Sequence, residues 1–367
     1  MAKKRVAILF GGKSAEHEVS LMSAKSIFEN IDKSKYDVCL IGVDKEGHWA
    51  LHDGAKALLN AHDPKLIALN KSNQALTLDP GAENKALIET SSGNSIGNVD
   101  VVFSVMHGTI GEDGSMQGLL RTAGIAFVGP SVLSSAVGMD KDVSKRLLRD
   151  AQIPVAKFIT LHRHQISQIS FQSVSQELGL PLFIKPANTG SSVGIHKVKS
   201  EKDFDFAISD AFKYDTKILI EEFIKGREIE ISVLGNENPI ASLPGEVIPH
   251  HDFYSYEAKY IDENGAVIEI PAKLDKATIK RVQELAIKTF TTLCCEGLAR
   301  VDFFLTESGE LYLNEINTLP GFTKISMYPK MWDASGIGYS ELIDKLIQLA
   351  LERHERDKNI KTHYTPQ

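Results

Sequence analysis

Residues 299–321 read ARVDFFLTESGELYLNEINTLPG. Two runs rich in aromatic and aliphatic residues, VDFFL and LYLNEI, flank Glu307-Ser308-Gly309-Glu310, the pattern of a hairpin with a short Gly-containing turn. Side chains alternate faces along a strand, so Arg300 and Asp302 share one face, as do Glu315 and Asn317. A two-residue turn centred on Ser308 and Gly309 sets Asp302 opposite Glu315 and Arg300 opposite Asn317. Opposed carboxylates repel, and the arrangement is costly unless a cation sits between them. A small set of hard oxygen ligands suits Mg²⁺, which keeps waters and takes its other ligands from substrate phosphates, so the ribbon predicts a nucleotide. Taken by itself, the same pattern also fits a solvated edge hairpin with scattered charge.

The 367 residues exceed what one hydrophobic core usually serves, and two or three domains are expected. Apolar residues at 43% and charged residues at 24% are the balance of a folded, water-soluble chain. A net charge of -7 offers no basic footprint for nucleic acid. The first apolar run, VAILF, is followed by Gly11-Gly12 and is too short for a signal peptide or a membrane span, and no other stretch approaches the length required. Cys39, Cys294 and Cys295 are odd in number, with two adjacent, which fits a reducing cytoplasm and neither a disulfide framework nor a zinc site.

Residues 5 to 60 read strand, helix, strand: RVAILF, a helix from about His17 to Asn30, and YDVCLIGVD. This β-α-β order implies parallel strands with a right-handed crossover. The connecting turn, GGKSAEHEVS, lacks the G-x-G-x-x-G of a dinucleotide fingerprint, which argues against a dehydrogenase. Ligands bind such sheets at the carboxyl ends of the strands, where Glu16 falls, although an acid there also complements the helix dipole. The polar segment 51–98, with its DPG and SSGNS turn signals, reads as insertions around a surface hairpin. The strand VDVVFSVMHG runs into HGTIGEDGSMQGLL, whose glycines at 108, 111 and 114 allow a close backbone approach. His107, at the end of that strand, is either a ligand or a structural histidine.

MDKDVSKRLLRDAQIPV reads as a helix of mixed charge on which Lys141 would ordinarily be one solvated lysine among several. PLFIKPANTGSSVGIHKV follows as two strands around a tip of Gly190, Ser191, Ser192 and Gly194. Such a tip offers backbone N–H groups and hydroxyls to phosphate, and Lys185 adds charge, unless the loop is simply flexible. It is not a P-loop, since no Gly-Lys-Ser/Thr opens a helix. KILIEEFIKGREIEISVLG reads as one strand with acids at 221, 222, 228 and 230. Glu221 and Glu222 mark either an exposed edge or a contact to adenine and ribose. The long aromatic-rich stretch 244–272 reads as a lid. LIDKLIQLALERH closes the last domain with a helical core stripe.

GGKSAEHEVS, HGTIGEDGSMQG, MDK, IKPANTGSSVG, EAKY, ARVDFFL and NEINTLPGFT occur in the order found in the D-alanine-D-alanine ligases of the ATP-grasp superfamily, which the chain resembles over nearly its whole length apart from 51–98. The resemblance implies an α/β fold of three domains. These are a parallel-sheet, Rossmann-like domain at 1–122, a central subdomain at 123–220, and a C-terminal subdomain at 221–367 with a lid at about 246–270. ATP would lie between the antiparallel sheets of the last two. Two Mg²⁺ ions, or Mn²⁺ in their place, would be bound by Asp302, Glu315 and Asn317. By position, Lys141, Lys185 and the lid residue Lys259 look like phosphate-binding lysines, with Glu221 at the adenine, Glu228 on the ribose, and Phe223 and Phe253 walling the purine.

The resemblance implies that two D-alanines are joined through an acyl phosphate, giving ADP, phosphate and a dipeptide for peptidoglycan precursors. Glu16 would pair with the ammonium of the first D-alanine and form a hydrogen-bonded set with Ser191 and Tyr260. Arg300 and the Gly321 N–H would stabilise the oxyanion, and His107, Ser326 and Met327 would line the amino-acid subsites. The EAKY lid favours the dipeptide over a D-lactate ester, D-lactate or D-serine being the alternative nucleophiles, and a cytoplasmic homodimer is expected. A catalytically silent nucleotide-binding relative should have lost at least one of Asp302, Glu315, Asn317 or Arg300, and all four are present.

Overall fold

The computed structural model describes residues 3–54, 57–59, 67–72, 74–81, 86–190, 193–249 and 266–361. Strand Lys4–Gly11, buried from Val6 onward, is followed by helix His17–Asn30 and strand Tyr36–Val43, which pairs parallel to the first. Val101–Ser104 adds in parallel on the other side, and Ala126–Phe127 beyond it. This is the crossover expected from the apolar runs. The segment 51–98 does more than carry one hairpin. Strands Trp49–His52, Ala75–Leu78, Ala86–Glu89 and Ser95–Asn98 form an antiparallel meander that widens the sheet to eight strands. Sparse apolar residues suffice there because only one face is covered: Leu76 and Leu87 are buried with Ile41 and Val43.

The second sheet orders Phe158–His162, Lys217–Glu222, Leu182–Pro186 and His196–Val198, all antiparallel. Helices Phe171–Leu178 and Glu201–Ala211 share its core through Val174, Phe204 and Ile208. The third sheet runs Ala266–Glu269, Gly245–Pro249, Arg227–Gly235, Gly297–Leu305 and Leu311–Asn317, with Ile240–Ala241 attached to Arg227–Gly235. The stretch 217–235, expected as one strand, is therefore two strands in two sheets. The break falls at Gly226, where a Cβ would lie 2.7 Å from Leu305 O, so the chain changes sheets where only glycine passes.

Helices Lys141–Asp150 and Lys276–Thr292 cover the apolar face of the third sheet through Leu148, Val282 and Phe290. The core beneath the first sheet is shared across the chain. Val6, Ile8 and Ile27 pack with Leu298, Phe322 and Trp332, and with Leu342, Leu346 and Ile347 of the helix Tyr339–Lys358. Arg353 of that helix is buried and donates to the carbonyls of Phe127, at 2.7 Å, and Gly129, at 2.5 Å. Among the described residues no helix is long and apolar enough to cross a membrane.

Candidate active site

The hairpin turn is one residue longer than expected. Thr306 N donates to Glu310 O at 2.9 Å and Gly309 N to Thr306 O at 2.9 Å, with Gly309 at φ +83°, so the loop is Glu307-Ser308-Gly309. Leu305 then opposes Leu311 and Phe303 opposes Leu313. Continued without interruption, that register would set Asp302 against Asn314 and turn Glu315 into the core. A β-bulge at Asn314 intervenes, and Asp302 lies opposite Glu315 and Arg300 opposite Asn317. The expected pairs form, but through a three-residue loop and a bulge.

The neighbouring strand adds two acids to this face, Glu230 beside Asp302 and Glu228 beside Phe304. Arg300 donates from Nε and Nη2 to the two oxygens of Asp302, at 2.8 and 2.7 Å, and its Nε lies 3.0 Å from Glu230 Oε2. Burial alone would lower the Arg300 pKa, but the Asp302 and Glu230 charges outweigh it and the net shift is upward. Glu230 was visible in the sequence only as one of several alternating acids.

Across from this face stands the start of helix Lys141–Asp150. Its N-cap, Asp140, accepts from the backbone of Asp142 and Val143 and takes Lys217 Nζ at 2.6 and 2.7 Å. Lys141, fixed next to it, donates from Nζ to Thr189 O at 2.7 Å and lies 3.6 Å from Glu315 Oε2. One turn on, Lys145 Nζ is 3.2 Å from Glu221 Oε1, while Lys185 Nζ is 2.8 Å from Glu221 Oε2. All three side chains are buried. Burial pushes the Glu221 carboxyl upward, but the two ammoniums outweigh it and the net shift is downward. Glu221, expected at the adenine, thus has both carboxylate oxygens on lysines. Lys145 was not singled out from the sequence, although the spacing MDKDVSK places it on the face of Lys141. Phe223 is exposed at the end of the same strand, 5.9 Å from the Phe183 ring, with Lys197 Nζ 4.6 Å above it.

Glu16 occupies the N-cap position of helix His17–Asn30, at the first sheet's carboxyl edge, and its side chain makes no capping bond. A Cβ at Gly108 would lie 2.7 Å from Glu16 Oε2, and one at Gly190 3.5 Å from the same oxygen, so both loops close on this carboxylate. His107 is buried. Its Nδ1 donates to Leu319 O at 2.9 Å and its Nε2 lies 3.0 Å from Ser23 Oγ, which in turn accepts from Phe322 N at 3.2 Å. Glu112 Oε1 stands 3.6 Å from Nδ1. Burial would lower the His107 pKa, but Glu112 and Glu16 more than offset it and the shift is upward, while burial raises Glu112. His107, beyond strand Val101–Ser104, and Ser23, in helix His17–Asn30, therefore hold both flanks of Gly321. Ser23 was not foreseen, since a serine inside a helical pattern carries no signal of its partner. Ser326 stands at the N-cap position of helix Met327–Ala334 without a capping bond, its Oγ accepting instead from Thr323 N at 3.1 Å, and Met327 is buried with Val247 and Met331.

Glu16, His107, Lys141, Arg300, Glu315, Asn317, Gly321, Ser326 and Met327 line one cavity of about 640 Å³. Lys185, Glu221, Phe223, Glu228 and Asp302 stand outside its lining. Ser191, Phe253, Lys259 and Tyr260 lie outside the described residues. Among the described residues no three His, Cys, Asp or Glu side chains gather as a metal-ligand group. The hairpin instead offers two opposed carboxylates and an amide whose oxygen also accepts from Leu319 N at 3.1 Å. These are hard oxygen donors of the kind that suits Mg²⁺ or Mn²⁺, with both Asp302 oxygens held by Arg300 in this structure.

Two antiparallel sheets that meet at a lysine-bearing helix, joined to a parallel-sheet unit, form the ATP-grasp architecture. The structure of the D-alanine-D-alanine ligase from Coxiella burnetii matches with a TM-score of 0.84 and 39% identity, covering 98% of this chain and 97% of that one. The VanG D-Ala:D-Ser ligase of Enterococcus faecalis matches with the same TM-score and identity, covering 95% and 100%. Family models described as D-ala D-ala ligase N-terminus and C-terminus match residues 5–130 and 147–348. The D-alanine--D-alanine ligase of Shouchella clausii is 59% identical over 362 residues, covering 99% of this chain and 98% of that protein. The chain belongs to the D-alanine-D-alanine ligase family, whose members form carbon–nitrogen bonds with ATP.

Proposed function

We propose that the chain joins two D-alanines at the expense of ATP. A carboxylate oxygen of the first D-alanine attacks the γ-phosphorus, the bond to the β–γ bridging oxygen breaks, and ADP leaves. The amine of the second D-alanine then attacks the acyl phosphate carbon. The tetrahedral oxyanion collapses, the carbon–oxygen bond to phosphate breaks, and the amine gives up a proton. Glu16 binds the ammonium of the first D-alanine, and with Ser191 and Tyr260 ties the lid to it. Lys141, Lys185 and Lys259 neutralise phosphate oxygens, the main protein contribution to phosphoryl transfer. Arg300 and the Gly321 N–H face the oxyanion; losing one such donor typically costs about 2.7–4 kcal/mol of transition-state stabilisation. His107, Ser326 and Met327 shape the amino-acid subsites. Glu228 meets the ribose, and Phe223 and Phe253 wall the purine. Asp302, Glu315 and Asn317 would hold two Mg²⁺ or Mn²⁺ ions, which supply charge neutralisation at the transferred phosphoryl group.

The observation that carries this reading is the convergence in one cavity of Glu16 and His107 from the first sheet with Arg300, Glu315, Asn317 and Gly321 from the third. On this reading the chain works as a homodimer in the cytoplasm on peptidoglycan precursors, with a lid at about 246–270; the bounds 1–122, 123–220 and 221–367 only approximate the sheets, since strand Ala126–Phe127 joins the first sheet and strand Lys217–Glu222 completes the second.

The test is phosphate release from ATP and Mg²⁺ with D-alanine, with L-alanine, and with D-alanine plus excess D-lactate or D-serine, the products identified by mass. Release that depends on D-alanine, with D-alanyl-D-alanine formed, is expected. A lactate ester or a D-serine dipeptide as the favoured product at neutral pH would displace the D-alanine reading.

A further inference from the structure

Lys145 has no role in the reaction as drawn above, yet it is 1% exposed and its Nζ lies 3.2 Å from Glu221 Oε1. Lys185, 6% exposed, holds the other oxygen at 2.8 Å, and Glu221 itself is 5% exposed. A charge out of water is tolerated only against an opposite charge. Two ammoniums and one carboxylate leave this group one negative charge short. The triad on the hairpin face has the opposite imbalance, with Arg300 set between Asp302 and Glu230. The lysine triad therefore carries one net positive charge, with Glu315 the next acid acting on Lys145.

The two lysines are not held alike. Lys185 Nζ lies closer, 2.8 Å from Glu221 Oε2, and sits on strand Leu182–Pro186, which leads into Thr189 and Gly190 on the cavity wall. Lys145 Nζ stands at ion-pair distance but makes no directed hydrogen bond among the described residues, and Glu221 Oε1 likewise accepts none. Lys145 thus stands close enough to tighten on Glu221, and its ammonium is too deep to leave.

We propose that Lys145 is a positioning residue for ATP: it is the second counter-ion of Glu221, which allows Lys185 to leave that carboxylate for a phosphate oxygen without stranding a lone buried charge. The proposal rests on the ATP-dependent reading above. With Lys145 removed, Lys185 and Glu221 become a neutral one-to-one pair, and the phosphate must compete with Glu221 for its lysine. Removing the Glu221 charge as well ends that competition, so the second substitution repairs the first.

The experiment measures KM for ATP, KM for D-alanine and kcat for the full chain as wild type, Lys145→Met, Lys145→Arg and the double variant Lys145→Met/Glu221→Gln, with thermal melting to confirm folding. Lys145→Met should raise KM for ATP about tenfold or more, as for loss of one charge-assisted contact, with KM for D-alanine nearly unchanged. Lys145→Arg should recover most of the loss, and the double variant should bind ATP better than Lys145→Met. Lys145→Gln serves in its place if Lys145→Met does not fold. An active wild type with an unchanged KM for ATP in the single variant overturns the proposal. So does a double variant worse than the single one, because Glu221 would then act on the nucleotide itself. A wild type with no D-alanine-dependent ATP turnover overturns the ligase reading and this proposal with it.

Discussion

The second sheet and the first sheet are held together in different ways. Every buried residue of the second sheet's core comes from between Leu161 and Ile220. The core under the first sheet joins Val6 and Ile8 to Leu298, Trp332 and Ile347, from the far end of the chain. A unit with its own core can shift as a body, whereas two units that share one cannot separate without exposing it. Several polar links from the second sheet to the rest gather around helix Lys141–Asp150: Lys217 on Asp140 and Asp142, Lys141 on Thr189, and Lys145 with Glu221. The shared block carries Glu16, His107, Arg300 and Gly321, while the second sheet carries Lys185 and leads into Gly190. Movement of that sheet would carry Lys185 on the phosphate side and Gly190 beside Glu16, while His107, Arg300 and Gly321 kept their places.

The largest expected effect breaks the shared core. Trp332→Ala should cost about 3–5 kcal/mol in urea unfolding, with first- and third-sheet amides losing exchange protection together. Loss confined to the third sheet would contradict a common core. Ile184→Ala, in the separate core, should cost about 2–5 kcal/mol with the exchange change limited to residues 158–222. Ser23→Ala strands Phe322 N and should cost about 1–3 kcal/mol, with a fall in kcat, since the Gly321 segment loses one anchor; unchanged turnover would make Ser23 purely structural.

The smallest effect depends on pH. Burial works against ionised Asp142, but its bonds from Thr160 and Lys217 prevail and hold its pKa below the ordinary 3.8. A carboxyl lowered in the folded state stabilises fully above that ordinary value and loses the contribution as pH falls through the folded one. Asp142→Asn should therefore be less stable than wild type by about 1 kcal/mol at pH 7. The gap should close below pH 3.8, and one that persisted in acid would point to shape instead of charge.

The hairpin face was legible because strand alternation fixes which side chains share a side. Its turn was misread, although the core residues Leu311, Leu313 and Ile316 break strict alternation and announce a bulge. The division of 217–235 was hidden because alternation runs straight through it and only Gly226 marks the change of sheet. The motifs around Glu16, His107, Lys141 and Lys185 could be read locally. The pairing of Lys145 with Glu221, and the Ser23 bridge to Phe322, could not, because they join residues far apart in the chain that share no local pattern. An amphipathic helix such as Tyr339–Lys358 shows that it is covered, but not by which sheet.

The extra residue at Asn314 also makes the hairpin tolerant of changes in length. Asn314 is unmatched in the ladder, so its removal would leave Asp302 against Glu315 and Arg300 against Asn317 and take away only local twist. At this one point the chain can gain or lose a residue without exchanging its wet side for its oily one. Relatives with a gap there would keep the same charged groups facing the cavity, aimed at a slightly different angle.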